Sequence, residues 1–99
     1  QNLVLKTLQL QGENLYRQLA EMQYQYRTVT LKIRFEDFET FTRSRSLPSH
    51  THDKEAIMAT VKILLRVFES DLRKIRLVGL KVSDLRKPSQ SVERIEKWL

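Results

Sequence analysis

From Thr28 to Phe35 the chain alternates without a break. Val29, Leu31, Ile33 and Phe35 fall on one side; Thr28, Thr30, Lys32 and Arg34 fall on the other. Successive side chains of a strand point to opposite faces, so this segment is a strand with one buried and one solvated face. Its β-branched and aromatic content agrees with that reading. A half-buried strand of this kind belongs to an antiparallel sheet covered on one side only. With 99 residues there is room for one such sheet, its covering helices and one core.

The remaining elements arrange themselves around it. Leu5, Leu8, Gly12, Leu15, Leu19 and Met22 recur at spacings of three and four, which predicts an amphipathic helix over residues 2–25, with a break conceivable at Gly12. Glu36 and Asp37 form a tight connection to a second strand, residues 38–47, with Phe38 and Thr40 expected inward and Phe41 partly exposed near a bulge. Pro48 is expected to end that strand, because it has no N–H for the ladder. Thr51 or Asp53 can cap a second helix whose buried stripe is Ile57, Val61, Leu64, Leu65 and Phe68. A third strand, residues 74–83, puts Val78, Leu80 and Val82 on one face and Gly79, Lys81 and Ser83 on the other. The fold class is therefore α+β, an antiparallel sheet with two helices on one face. The order matches a βαββαβ unit without its first strand, which is expected upstream of Gln1.

Charge then points to a partner. Lys and Arg number 18 against 12 Asp and Glu, a net +6. The excess sits in two stretches. Residues 27–47 carry Arg27, Lys32, Arg34, Arg43 and Arg45 against Glu36, Asp37 and Glu39; residues 72–88 carry Arg73, Lys74, Arg76, Lys81, Arg86 and Lys87 against Asp84. Both are strand regions. The open face is expected to carry Lys32, Arg34, Arg43, Arg45 and Lys81 with hydroxyls between them, a surface suited to phosphates. Other constellations are weaker. Glu36, Asp37 and Glu39 read as a solvated turn rather than a metal cluster, and His50 with His52 lack the cysteine or helical spacing of a zinc site. No catalytic residue and no metal site is expected. Without cysteine there is no disulfide framework, and the longest apolar runs fall far short of the roughly 18 residues of a membrane span. No signal peptide is visible at the start, so a soluble, cytoplasmic domain without membrane contact is expected.

Three blocks carry a resemblance. Arg27-Thr28-Val29-Thr30-Leu31-Lys32 is followed by Asp37-Phe38-Glu39-Thr40-Phe41-Thr42-Arg43-Ser44-Arg45-Ser46-Leu47-Pro48, and later by Lys74-Ile75-Arg76-Leu77-Val78-Gly79-Leu80-Lys81-Val82-Ser83-Asp84-Leu85. In this order they resemble the little-finger domain of Y-family, DinB-like translesion DNA polymerases, of archaeal type. The resemblance implies a non-catalytic domain of an error-prone, lesion-bypass polymerase that holds primer–template duplex by its phosphates. It implies that Thr42, Arg43, Ser44, Arg45 and Ser46 form the gripping run, with Lys32, Arg34 and Lys81 beside them. It also implies that the catalytic carboxylates and their Mg²⁺ belong to upstream domains, leaving this chain without a cofactor.

Residues 1–87 are thus expected to be the DNA-binding domain and residues 88–99 a tail. Ile95, Trp98 and Leu99 fall on one face of a helical turn. The pattern resembles the sliding-clamp binding peptide of many polymerases, with Val92 where the usual glutamine stands. Two other readings remain open: a stand-alone RNA-binding module, which would need stacking aromatics on the open face, and a protein-interaction adaptor.

Overall fold

The computed structural model describes residues 2–87 together with residues 97 and 98. Helix α1 (Asn2–Met22) leads into strand β1 (Tyr26–Phe35), which turns back into β2 (Thr40–Thr51). Helix α2 (Lys54–Leu65) and a single 3-10 turn (Arg66–Phe68) follow, then β3 (Ile75–Ser83) and a short β4 (Lys97–Trp98). The strands lie in the order β2-β1-β3-β4, each antiparallel to its neighbour. This is the α+β sandwich expected, with the alternating strand at its centre.

Both helices pack on one face of the sheet. Leu8, Leu15 and Leu19 of α1 and Ile57, Val61 and Leu64 of α2 meet Val29, Leu31, Ile33 and Phe35 of β1 and Leu80 and Val82 of β3. Burying each such side chain contributes about 1.5–3 kcal/mol before chain entropy is counted. Gly12 does not break α1. It sits against α2: a Cβ there would lie 3.3 Å from Met58 Sδ and 3.6 Å from Ile57 Cγ2. The missing side chain lets the helices approach. Asp53 caps α2 by accepting the Glu55 N–H at 3.0 Å, and Thr51 Oγ1 accepts the Asp53 N–H at 3.1 Å. Buried Tyr26 donates its hydroxyl to the Asp53 carbonyl at 2.6 Å, tying β1 to that cap.

Three expectations change. First, Pro48 does not end β2, which runs on to Thr51. β2 is an edge strand, and between the pairs Thr28↔Ser46 and Tyr26↔Thr51 the register shifts in a bulge, so no ladder donor is required of the proline. Second, Phe41 is the inward residue, paired with Ile33, whereas Thr40 pairs with Arg34 on the open side and Phe38 is 62% exposed in the turn. Third, Lys97 and Trp98 are not in a helical turn. They pair as β4 with Val82 and Lys81 on the outer edge of β3, where the ladder satisfies backbone groups that one isolated helical turn would leave open. Ile95 and Leu99 lie outside the described residues.

Candidate nucleic-acid interface

Facing residues of an antiparallel pair point to the same side of the sheet, so the register of β1 assigns both faces. Opposite the helices, Thr28, Thr30, Lys32 and Arg34 stand beside Ser46, Ser44, Thr42 and Thr40 of β2. On the other side they stand beside Ser83, Lys81, Gly79 and Leu77 of β3. The rows themselves hold no carboxylate, but Asp84, the residue after β3, accepts the Thr28 hydroxyl on Oδ2 at 3.2 Å. The expected open-face cations Lys32, Arg34 and Lys81 are brought together here, with the hydroxyls of Thr42, Ser44 and Ser46.

Arg43 and Arg45 are not on this face. They pair with Leu31 and Val29 and so project to the helix-covered side, as Phe41 does. They are exposed only because β2 lies at the sheet's edge. The cause is the period of two: hydroxyls and arginines alternate along Thr42-Arg43-Ser44-Arg45-Ser46, so only one set can share a face with Lys32. Arg43 donates Nη1 to the Thr42 carbonyl at 2.8 Å and lies 5.7 Å from the ring centroids of both Phe41 and Phe68. Phe35, Phe41 and Phe68 form a cluster with centroids about 6 Å apart. The arginine therefore closes the apolar edge under β2.

The open face is pre-ordered by cross-strand bonds. The hydroxyls of Thr30 and Ser44 lie 2.6 Å apart, and those of Thr28 and Ser46 2.9 Å apart. Arg34 Nε donates to Thr40 Oγ1 at 2.9 Å. Gly79 has its open-face position covered by the stem of Lys32, whose Cε would lie 3.4 Å from an added Cβ. The close passage over a residue without a side chain holds the lysine flat along the sheet. Such paired hydroxyls and supported cations present donors at fixed spacing with little side-chain entropy left to lose.

The acidic turn is exposed, as expected, but it is also held by an arginine. Arg73 Nη1 reaches Asp37 Oδ2 at 3.0 Å and also Glu39 Oε1, while its Nε and Nη2 grip Asp71 at 3.0 and 2.7 Å. The guanidinium also stacks on Phe35, 4.2 Å from the ring centroid. Hydrogen bonds from Arg73 hold the Asp71 carboxyl down at about 2 and lower that of Asp37. These carboxylates are committed to a guanidinium rather than to a cation site. Sequence reasoning missed Arg73 because its partners come from a turn far along the chain; the Asp71-Leu72-Arg73 spacing was the local signal. Thr28, Thr30 and Thr40 were also missing from the candidate set, although the alternation had already placed Thr28 and Thr30.

A model of the impB/mucB/samB family C-terminal domain matches residues 2–94. The chain belongs to that family. This agrees with the resemblance of the three sequence blocks to the little-finger domain of Y-family polymerases. Among its relatives, DNA polymerase IV 2 of Methanosarcina mazei is 42% identical over 80 residues, 81% of this chain and 21% of the relative. DNA polymerase IV of Streptococcus sanguinis is 38% identical over 80 residues, 81% of this chain and 23% of the relative. DNA polymerase IV of Clostridium perfringens strain 13 is 31% identical over 91 residues, 92% and 25% respectively. The chain thus spans about a fifth to a quarter of the polymerases it matches. No helix among its described residues is long and apolar enough to cross a membrane.

Proposed function

We propose that this little-finger domain holds the primer–template duplex of a lesion-bypass DNA polymerase by its phosphates, through the open sheet face. The carrying observation is that face itself: Lys32, Arg34 and Lys81 among Thr and Ser hydroxyls, without a carboxylate in the facing rows. Thr42, Ser44 and Ser46 add short hydrogen bonds to phosphate oxygens, and Arg43 and Arg45 approach the flanking backbone around the edge of β2. Contacts of this kind position a duplex and carry no sequence information. A polymerase gripped in this way keeps hold of a template whose bases are damaged. The facing rows of β1, β2 and β3 carry no aromatic, although the register sets Trp98 opposite Lys81 at the β4 edge; the basic, hydroxyl-rich rows favour duplex phosphates over stacked single-stranded RNA as the ligand.

The chemistry belongs to the rest of the parent polymerase, where the catalytic carboxylates and Mg²⁺ would lie; this domain contributes affinity and orientation. The test is a titration of the 99-residue chain with duplexes of unrelated sequence between about 50 and 200 mM salt. Affinity falling steeply and equally for every sequence is expected; strong sequence preference, or indifference to salt, would refute the reading.

The tail is proposed as a sliding-clamp peptide through Ile95, Trp98 and Leu99. Pairing of Lys97 and Trp98 with β3 competes with such docking. The isolated peptide 90–99 is therefore expected to bind the clamp at micromolar Kd, about −8 kcal/mol, and more tightly than the whole chain does. Equal binding by a peptide carrying Ile95→Ala and Trp98→Ala would remove the proposal.

A further inference from the structure

Phe38 breaks the local rules that the rest of the hairpin keeps. Its φ is 67°, in the left-handed region that a bulky side chain rarely enters, and its ring is 62% exposed. Glycine or asparagine would serve this turn at lower energy. The position nonetheless holds a large apolar ring turned to solvent, and the turn around it is firmly fixed. The Phe38 N–H donates to the Phe35 carbonyl at 2.9 Å and the Phe35 N–H to the Glu39 carbonyl at 3.0 Å. The Glu39 N–H donates to Asp37 Oδ1 at 3.2 Å, and Arg73 clamps Asp37 and Glu39 from outside. Backbone strain kept in a well-braced turn is a mark of use.

The surroundings are cationic. Where β1 passes from Arg34 to Phe35, β3 carries one extra residue, Arg76, and this bulge sets its guanidinium carbon 4.4 Å from the Phe38 centroid. Arg34, bonded to Thr40, stands at the same end of the sheet. A ring backed by a guanidinium and otherwise open to water is a stacking platform: every nucleobase offers it a π-face, and the cation favours the adjoining phosphate. The length of the sheet also fits. β1 has ten residues, about 30 Å at roughly 3.3 Å per residue, near the ~34 Å helical turn of duplex DNA. For a duplex lying along the strands, the 36–39 turn stands about one turn from the far end.

We infer that Phe38, backed by Arg76, stacks on an unpaired nucleobase at the junction where the duplex on the open face gives way to single strand. The inference rests on the open-face reading of the preceding subsection. It gives the domain a means of sensing the junction as well as gripping the helix.

The experiment compares two DNAs with the 99-residue chain: a blunt duplex, and the same duplex extended by a single strand that carries 2-aminopurine at its first unpaired position. The wild-type chain is expected to bind the extended duplex about fivefold more tightly, the low end of what one stacked base contributes, and to quench the 2-aminopurine. Phe38→Ala loses the preference and the quenching while binding the blunt duplex as before. Phe38→Trp keeps both. Phe38→Gly, which suits the positive φ, must lose them while folding at least as stably, so that misfolding cannot explain the result. Wild-type preference and quenching in Phe38→Ala would overturn the inference. Absence of wild-type binding to the blunt duplex would overturn the open-face reading and this inference together, and is distinguished because it precedes any variant.

Discussion

Replacing Lys32, Arg34 and Lys81 together by glutamine removes the three open-face cations and leaves the core side of the sheet untouched. Their partners across the ladder are Thr42 and Gly79 for Lys32, Thr40 and Leu77 for Arg34, and Thr30 and Trp98 for Lys81. If each cation meets one phosphate, the slope of log affinity against log salt becomes shallower by about 2.7, at roughly 0.9 per contact. A fourfold rise in salt then weakens each lost contact by about 3.5-fold, so the advantage of the wild type over the triple variant shrinks about 40-fold between roughly 50 and 200 mM. The comparison variant is Arg43→Gln with Arg45→Gln. Those arginines project to the other side of an edge strand, and Arg43 is already engaged with Thr42 and the Phe41 and Phe68 rings. Their loss should flatten the slope by about 1.8 at most. Fluorescence anisotropy with a labelled duplex over a salt series measures both slopes, and circular dichroism checks that the folds survive. A triple variant with the wild-type slope, or a double variant flatter than the triple, would refute the assignment of faces.

Other outcomes follow from the packing. Gly12→Ala should raise thermal stability by up to about 1 kcal/mol, because helix propensity improves and the Met58 thioether, 3.3 Å away, is flexible enough to yield; Gly12→Leu should cost about 1–3 kcal/mol by overpacking the helix crossing. The depressed carboxyls of Asp71 and Asp37 contribute stability that is fully present above their ordinary value of 3.8 and is lost as pH falls toward about 2. Urea midpoints taken down that range should fall less steeply in Arg73→Met than in the wild type. Burial and the neighbouring Asp53 carboxylate push the Tyr26 hydroxyl well above its ordinary value of 10.0, so its contribution holds below pH 10 and is lost as pH rises further. Tyr26→Phe should lose that alkaline decline while costing about 1 kcal/mol at neutral pH for the bond to the Asp53 carbonyl.

The alternation of residues 28–35 was enough to determine that a half-buried strand lies at the heart of this domain, because the period of a strand is a local property of the backbone. The helix stripes were legible for the same reason, and so were the faces of β3. Thus Lys32, Arg34 and Lys81 could be put on the open face from sequence alone. Arg43 and Arg45 could not, because their face depends on which residue of β2 stands opposite Ile33. That is decided by the turn, where Phe38 takes up a left-handed conformation and Phe41 rather than Thr40 faces the core. A shift of one residue in that pairing exchanges arginines for hydroxyls along the whole strand. Pro48 is tolerated within β2 because the order of strands makes β2 an edge, which no local pattern specifies. The same holds for Lys97 and Trp98: a short segment takes its conformation from the edge it finds, since its own few residues gain too little from local bonds to hold a helix.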